Sequence, residues 1–246
     1  MARGLLCFGM MRGSPRYAVF TVVGFASLCL PAQGSGPELI QRLEGQEKWR
    51  EKALRDYEGI RKYVVISRRF GEAAMGVRVQ YEYPGSKDIQ VLWQSGSRTL
   101  QSRVMRKLIE AELEAASAEM RDQTRFHTGN YDFQPLGAGT VNGRAAYAFE
   151  LRPKLKKKFL VRGRVWVDAE DAAIVRIDGA PVSTGFWVRN VRMLLEYRKV
   201  DGFWMIASNR SRADVRLFGP ASLAVEYSEY RVNRSLVAMH NGKDQR

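Results

Sequence analysis

Two spacings of apolar residues alternate along this chain, and the changes between them mark its elements. From Pro37 to about Lys62 strong helix formers dominate, and Trp49, Ala53, Tyr57 and Ile60 recur at helical spacing, which predicts an amphipathic helix with a break near Gly45. The period then drops to two. Residues 63–70 and 77–83 alternate on either side of a turn at Gly71–Gly76, which predicts a hairpin, and 88–94 supply a third strand. A second helix is expected over 102–121, where Met105, Ile109, Leu113, Ala116 and Met120 form one stripe beside Leu108. Beyond Asn130 strands are expected at 145–153, 158–168, 172–178, 186–199, 203–217 and 221–233. The turns between them carry Gly, Pro, Asp or Asn, as an antiparallel meander requires.

Within the meander, alternation sorts side chains by chemistry. Val161, Val165, Val167, Val175, Ile177, Val191, Met193, Leu195, Met205 and Val215 fall on one parity, while Arg162, Arg164, Arg176, Arg192, Arg210 and Arg212 fall on the other. About nine strands with one apolar face need a cover, and only two helices are available. The expected fold is mainly β (α+β): a curved antiparallel sheet forming an incomplete β-barrel, with helices over a hydrophobic cavity. Candidate lining residues for that cavity are Val165, Val175, Val191, Met193, Leu195, Met205 and Val215, and an acyl chain is the ligand that such a lining suits.

Composition narrows the picture. At 246 residues and 45% hydrophobic, the chain is too apolar for disorder. No apolar run reaches the roughly 18 residues of a membrane span, which excludes a multispan protein. Residues 1–34 begin with Arg3, Arg12 and Arg16, continue as an apolar block from Tyr17 to Leu30, and end on small residues at Ala32 and Gly34. That is the layout of a signal peptide, with an uncleaved N-terminal anchor as the alternative. The expected organisation is a leader over 1–34, one domain over 35–234, and a polar tail over 235–246. The net charge is +14, and its densest cluster is Lys154, Lys156, Lys157, Lys158, Arg162 and Arg164. This cluster is the candidate contact for an anionic membrane surface or an envelope protein. Nucleic acid is not an expected partner, because the leader directs the chain away from it.

Candidate chemistry is sparse. Both cysteines, Cys7 and Cys29, lie in the leader, and His127 and His240 are far apart in sequence, so neither a Cys/His metal site nor thiol catalysis is expected. No serine sits in a Gly-x-Ser-x-Gly elbow. Asp168, Glu170 and Asp171 read as a hairpin turn and not as calcium ligands, and Gly137-Ala-Gly139 opens no helix. No catalytic residue, metal or cofactor is expected, and the chain does not read as an enzyme.

A leader, a helix, a hairpin, a second helix and a long meander together form a familiar order. With Asn130–Phe133, the stretch Lys158–Asp171 followed by Ile174–Ile177, and Gly202–Met205, the chain resembles the LolA/LolB-like family of lipoprotein-sorting proteins, in the superfamily that includes RseB. The resemblance covers most of residues 38–233. It implies an open barrel around a hydrophobic cavity and a non-catalytic periplasmic carrier of lipoprotein acyl chains or other lipids. The alternative is an envelope sensor or interaction protein of the same fold. The family's carrier keeps a lid-closing arginine on its sheet, and no single strand arginine here is matched to it.

Overall fold

The computed structural model describes residues 36–184, 188–217 and 219–234. The expected leader and tail, and His240, lie outside these residues. The described chain begins with α1 (Gly36–Ala53) and a three-stranded meander, β1 (Asp56–Ser67), β2 (Gly71–Glu82) and β3 (Ser86–Gly96). A helical rod follows: α2 (Arg98–Leu100), a π-helical turn (Gln101–Met105) and α3 (Arg106–Ala116). After it comes α4 (Ala118–Thr124). The chain then runs through β4 (Tyr131–Val141), β5 (Arg144–Pro153), β6 (Val161–Asp168), β7 (Ile174–Pro181), β8 (Val188–Val200), β9 (Phe203–Val215) and β10 (Gly219–Val232).

All ten strands form one antiparallel sheet in the order β3-β2-β1-β10-β9-β8-β7-β6-β5-β4. The last strand returns to pair with the first, and β3 and β4 remain as edges, so the barrel stays open. This is the mainly β fold with helical cover that the sequence pattern predicts. Among the described residues no helix is long and apolar enough to cross a membrane.

Both helical segments lie on the same face. Leu39, Ile40 and Leu43 of α1 pack into Tyr131, Phe149, Leu151, Val165 and Ile177 from β4 to β7. Leu100 and Met105 pack into Tyr63, Val65, Met75, Val77 and Val225 from β1, β2 and β10. Two cores therefore share one sheet face, one under each helical segment.

Several boundaries differ from expectation. The first helix stops at Ala53, because Tyr57, Tyr63 and Val65 belong to a strand whose β-branched and aromatic residues pair on both sides. Asn233 takes up the backbone groups freed there, accepting from the N–H of Arg55 and Asp56 and donating to the Ala53 carbonyl. The first hairpin turns at residues 68–70, and Gly71–Gly76 lie within β2. Gly76 is needed there, since a Cβ at this position would stand 2.2 Å from the Trp93 ring nitrogen lying across it. The second helix breaks at Ser117, whose extended backbone ends α3 and whose hydroxyl accepts the Met120 N–H to cap α4. The tenth strand, β4, is absent from the expected set because Pro135, Gly137 and Gly139 weaken its signal; such residues are tolerated on an edge.

Candidate functional site

Strand register carries two rows of side chains across the helix-covered face. One runs Phe149, Val165, Ile177, Leu195, Asn209, Val225, Tyr63, Met75. The other runs Leu151, Gly163, Gly179, Met193, Ser211, Leu223, Val65, Ala73. The outer side chains are sealed, with Val165 at 0% and Val65 at 2% exposure, while Gly163 and Gly179 are half-buried. The central members Met193, Leu195, Asn209, Ser211 and Leu223 are only half-buried. A half-covered floor on β8–β10 thus separates the two cores.

The structure distributes the seven candidate lining residues over several places. Val165 is inside the core beneath α1, and Met193 and Leu195 border that core from the floor. Val175 packs instead with Val141, Ala146, Ala173 and Trp204, beside a bulge between Trp166 and Val167. Met205 packs with Leu54, Phe203 and Val232 in another cluster. Val191 lines a hollow of about 780 Å³ with Arg152, Lys156, Arg162 and Arg192. Val215 is half-buried at the end of β9, opposite Val188. Of the seven, the floor unites Met193 and Leu195.

Below the floor the covered face turns polar. Arg61, 6% exposed, lies among Tyr57, Tyr63 and Tyr227, with its guanidinium 4.9 Å above the Tyr227 ring. It forms an ion pair with Glu112 of α3, which also accepts from the Tyr63 hydroxyl at 2.5 Å and the Lys87 ammonium at 3.1 Å. Burial, with Arg61 and Arg121 nearby, pushes the Lys87 ammonium down to about 7. Burial also pushes the Tyr227 and Tyr230 hydroxyls well above their ordinary value, against the pull of Arg61. The far side of α3 reaches the β5–β6 loop through Lys158 and Glu114, 2.5 Å apart.

Part of this polar latch is legible in the sequence. Arg61 has the inward parity of Tyr57, Tyr63 and Val65, and Glu112 lies four residues from both Leu108 and Ala116. What parity does not supply is the meeting of the two, which the long crossing from β3 to α3 creates.

The basic candidates lie at one end of the sheet, in the β5–β6 loop and on β6. Lys154 pairs with Asp132 at 3.4 Å and Lys158 with Glu114, while Lys156 and Lys157 have no ion pair among the described residues. Arg162 joins Lys156 in the outer hollow. Arg164 stands opposite Asp178 in the ladder and over Trp166. At the other end the acidic turn is fully engaged. Asp168, 1% exposed, is held by Arg144 at 2.6 Å and by the N–H groups of Glu170 and Asp171. Burial pushes its carboxyl up, but these bonds outweigh that and hold it below its ordinary value. Asp171 takes Lys199 and the Trp204 ring N–H, both at 2.9 Å. His127 accepts the Gly129 N–H in a loop. Among the described residues no group of three metal-ligating side chains converges.

No protein-family model matches the chain, and no curated protein matches its sequence. Among solved structures it is similar to a domain described as an outer membrane lipoprotein-sorting protein from Vibrio parahaemolyticus, at 14% identity over 78% of this chain and 91% of that one, with a TM-score of 0.46. It is also similar to a LolA superfamily protein from Nitrosomonas europaea, at 12% identity over 79% and 93%, with a TM-score of 0.42. A third similar structure is a DUF1329 family protein from Desulfovibrio piger, at 15% identity over 79% and 92%, with a TM-score of 0.39. The second carries the name of the family that the sequence resembles.

Proposed function

We propose that this chain is a non-catalytic binder of acyl chains, from a lipoprotein or another lipid, that is exported by its leader and works in the bacterial periplasm. The observation that carries the reading is the half-buried floor between two cores under separate helical covers, where Met193, Leu195 and Leu223 flank Asn209 and Ser211. The three apolar side chains gain when a hydrocarbon chain replaces water on them.

The two ends of the sheet add a direction. The loops at 68–70, 154–160 and 216–217 contribute Arg68, Arg69, Lys154, Lys156, Lys157, Lys158 and Arg216 with no carboxylate, and among them Leu155 and Leu217 are exposed. Cations interleaved with apolar tips suit an anionic bilayer surface, at about 1 kcal/mol per basic residue. In this reading that end docks on the membrane while the ion-paired acidic end faces away.

A second reading, a protein-binding envelope sensor, is favoured by β3, an edge strand whose Val91, Leu92 and Trp93 are all exposed. Titration with a fluorescent long-chain fatty acid separates the two. Met193→Arg is expected to fold and lose the probe, because its side chain borders an uncovered strip. Val165→Arg is expected to lose the fold, because it buries an unpaired charge. A parent protein that leaves the probe in water contradicts the acyl reading and favours the sensor.

A further inference from the structure

Between α1, α4 and the lower ends of β1–β3 lies a hollow of about 370 Å³, within the range of small-ligand sites. Six charged side chains line it: Glu47, Arg50, Glu51, Lys87, Arg121 and Arg125. Three are accounted for. Arg125 pairs with Glu51 at 2.5 Å, and Lys87 reaches outside the lining to Glu112 at 3.1 Å. Glu47 has no hydrogen-bond partner among the described residues, and burial raises its carboxyl above the ordinary value despite Arg50 and Arg125, which favours the neutral form. That leaves two guanidinium groups with the single Glu47 carboxyl.

Both guanidinium groups are incompletely satisfied. Arg121 donates from one terminal nitrogen to the Tyr81 hydroxyl at 2.6 Å, but its Nε is buried without an acceptor. Arg50 has no hydrogen bond or ion pair from its side chain among the described residues, and its Nε is buried without an acceptor as well. A buried N–H that has lost water and gained nothing carries its whole desolvation penalty. The acceptor that suits a guanidinium is a group with two or more anionic oxygens in a plane or fork.

We propose that this hollow is a binding site for an oxyanion, the phosphate or carboxylate of a ligand, held by Arg50 and Arg121. Burial holds the Glu47 carboxyl above its ordinary value, which lessens its repulsion of the same group. Leu54, Phe126 and Ile206 form an apolar side to the hollow, where the first carbons of an attached chain fit. The lipid form of the ligand rests on the acyl-binding reading; the oxyanion itself does not.

The test uses the full chain and three probes at constant ionic strength: inorganic phosphate, a short-chain phosphatidic acid, and a neutral monoacylglycerol of the same chain length. Binding is read by calorimetry and thermal stability. Arg50→Gln and Arg121→Gln are each expected to weaken the phosphatidic acid on the order of tenfold to a hundredfold, the scale of a lost charge-assisted pair. Lys48→Gln, an exposed change on the same helix, is expected to leave it unaltered. In phosphate-free buffer Arg50→Gln is expected to melt no lower than the parent, because it removes an unsatisfied donor. Inorganic phosphate bound as tightly as phosphatidic acid, and dependent on Arg50, identifies a free anion as the ligand and supports the site without the lipid. Phosphatidic acid bound equally by parent, Arg50→Gln and Arg121→Gln overturns the site, even where monoacylglycerol still binds and the acyl reading stands. A hollow that holds water alone shows itself as a parent indifferent to all anionic probes, which also overturns it.

Discussion

α1 and α3 cover the same face of one sheet, and they are held to it by different means. The first half of α1 presents Leu39, Ile40 and Leu43, all at 5% exposure or less, to a floor of Phe149, Val165 and Ile177. The buried contact is apolar save for the Tyr131 hydroxyl, which accepts the Val161 N–H, and its polar ties lie at the rim, where Arg42 donates to the Ala169 and Glu170 carbonyls and Glu44 accepts from Thr128. The rod containing α3 starts in the same manner, with Leu100 and Met105 sealed against β1 and β2, but farther along it changes character. Leu108 and Ile109 are half-buried, Leu113 is 39% exposed, and the grip passes to Glu112 with Arg61, Lys87 and Tyr63. An apolar seal cannot be lifted without exposing the core to water, whereas an ion-pair latch can exchange one partner for another. The difference predicts that α3 opens before α1.

The widest test of this contrast is on the sealed side. Leu43→Ala is expected to cost about 3 kcal/mol, through lost burial and the cavity left behind. Urea denaturation should show a lower midpoint with an unchanged slope. Less costly is Glu112→Gln, at about 2 kcal/mol, because it leaves Arg61 and Lys87 buried around a neutral amide. Hydrogen exchange should then quicken in α3 and leave the first half of α1 protected. Equal acceleration in both helices would erase the distinction between them.

How far this contrast was legible in the sequence follows from the kind of contact involved. Alternation assigned the arginines of β6–β9 to the face opposite Val165 and Leu195, and the register agrees, since Arg164, Asp178, Leu194 and Arg210 share one row. Parity is a local property, and it survives folding. The lining of the expected cavity was less legible. Val175 and Met205 have the anticipated parity, yet they pack in separate clusters, because bulges beside Trp166 and at Glu196–Tyr197 break the rows. The charged hollow was not legible at all: Arg50 and Arg121 are 71 positions apart by their numbering and meet only once α4 folds back beside α1.

Smaller effects sharpen the picture. Burial raises the Glu47 carboxyl above its ordinary 4.5, against Arg50 and Arg125, so the stability linked to its proton is present below pH 4.5 and lost as pH rises through the folded value. Glu47→Gln is therefore expected to raise the melting temperature near neutral pH, and the gain should vanish in acid below that value. Thermal scans across pH check both limits. The smallest effect belongs to Lys158→Gln. Its partner Glu114 is 46% exposed and Lys158 itself 56%, so the change should cost no more than about 0.5 kcal/mol while loosening the far side of α3.

Whether the floor between the two covers holds an acyl chain is decided by mass spectrometry of organic extracts from natively purified protein. A co-purifying lipid is expected in near-stoichiometric amount from the parent, and its loss from Met193→Arg with the fold retained. An extract free of lipid, or the same lipid recovered from parent and Met193→Arg alike, would contradict the acyl reading.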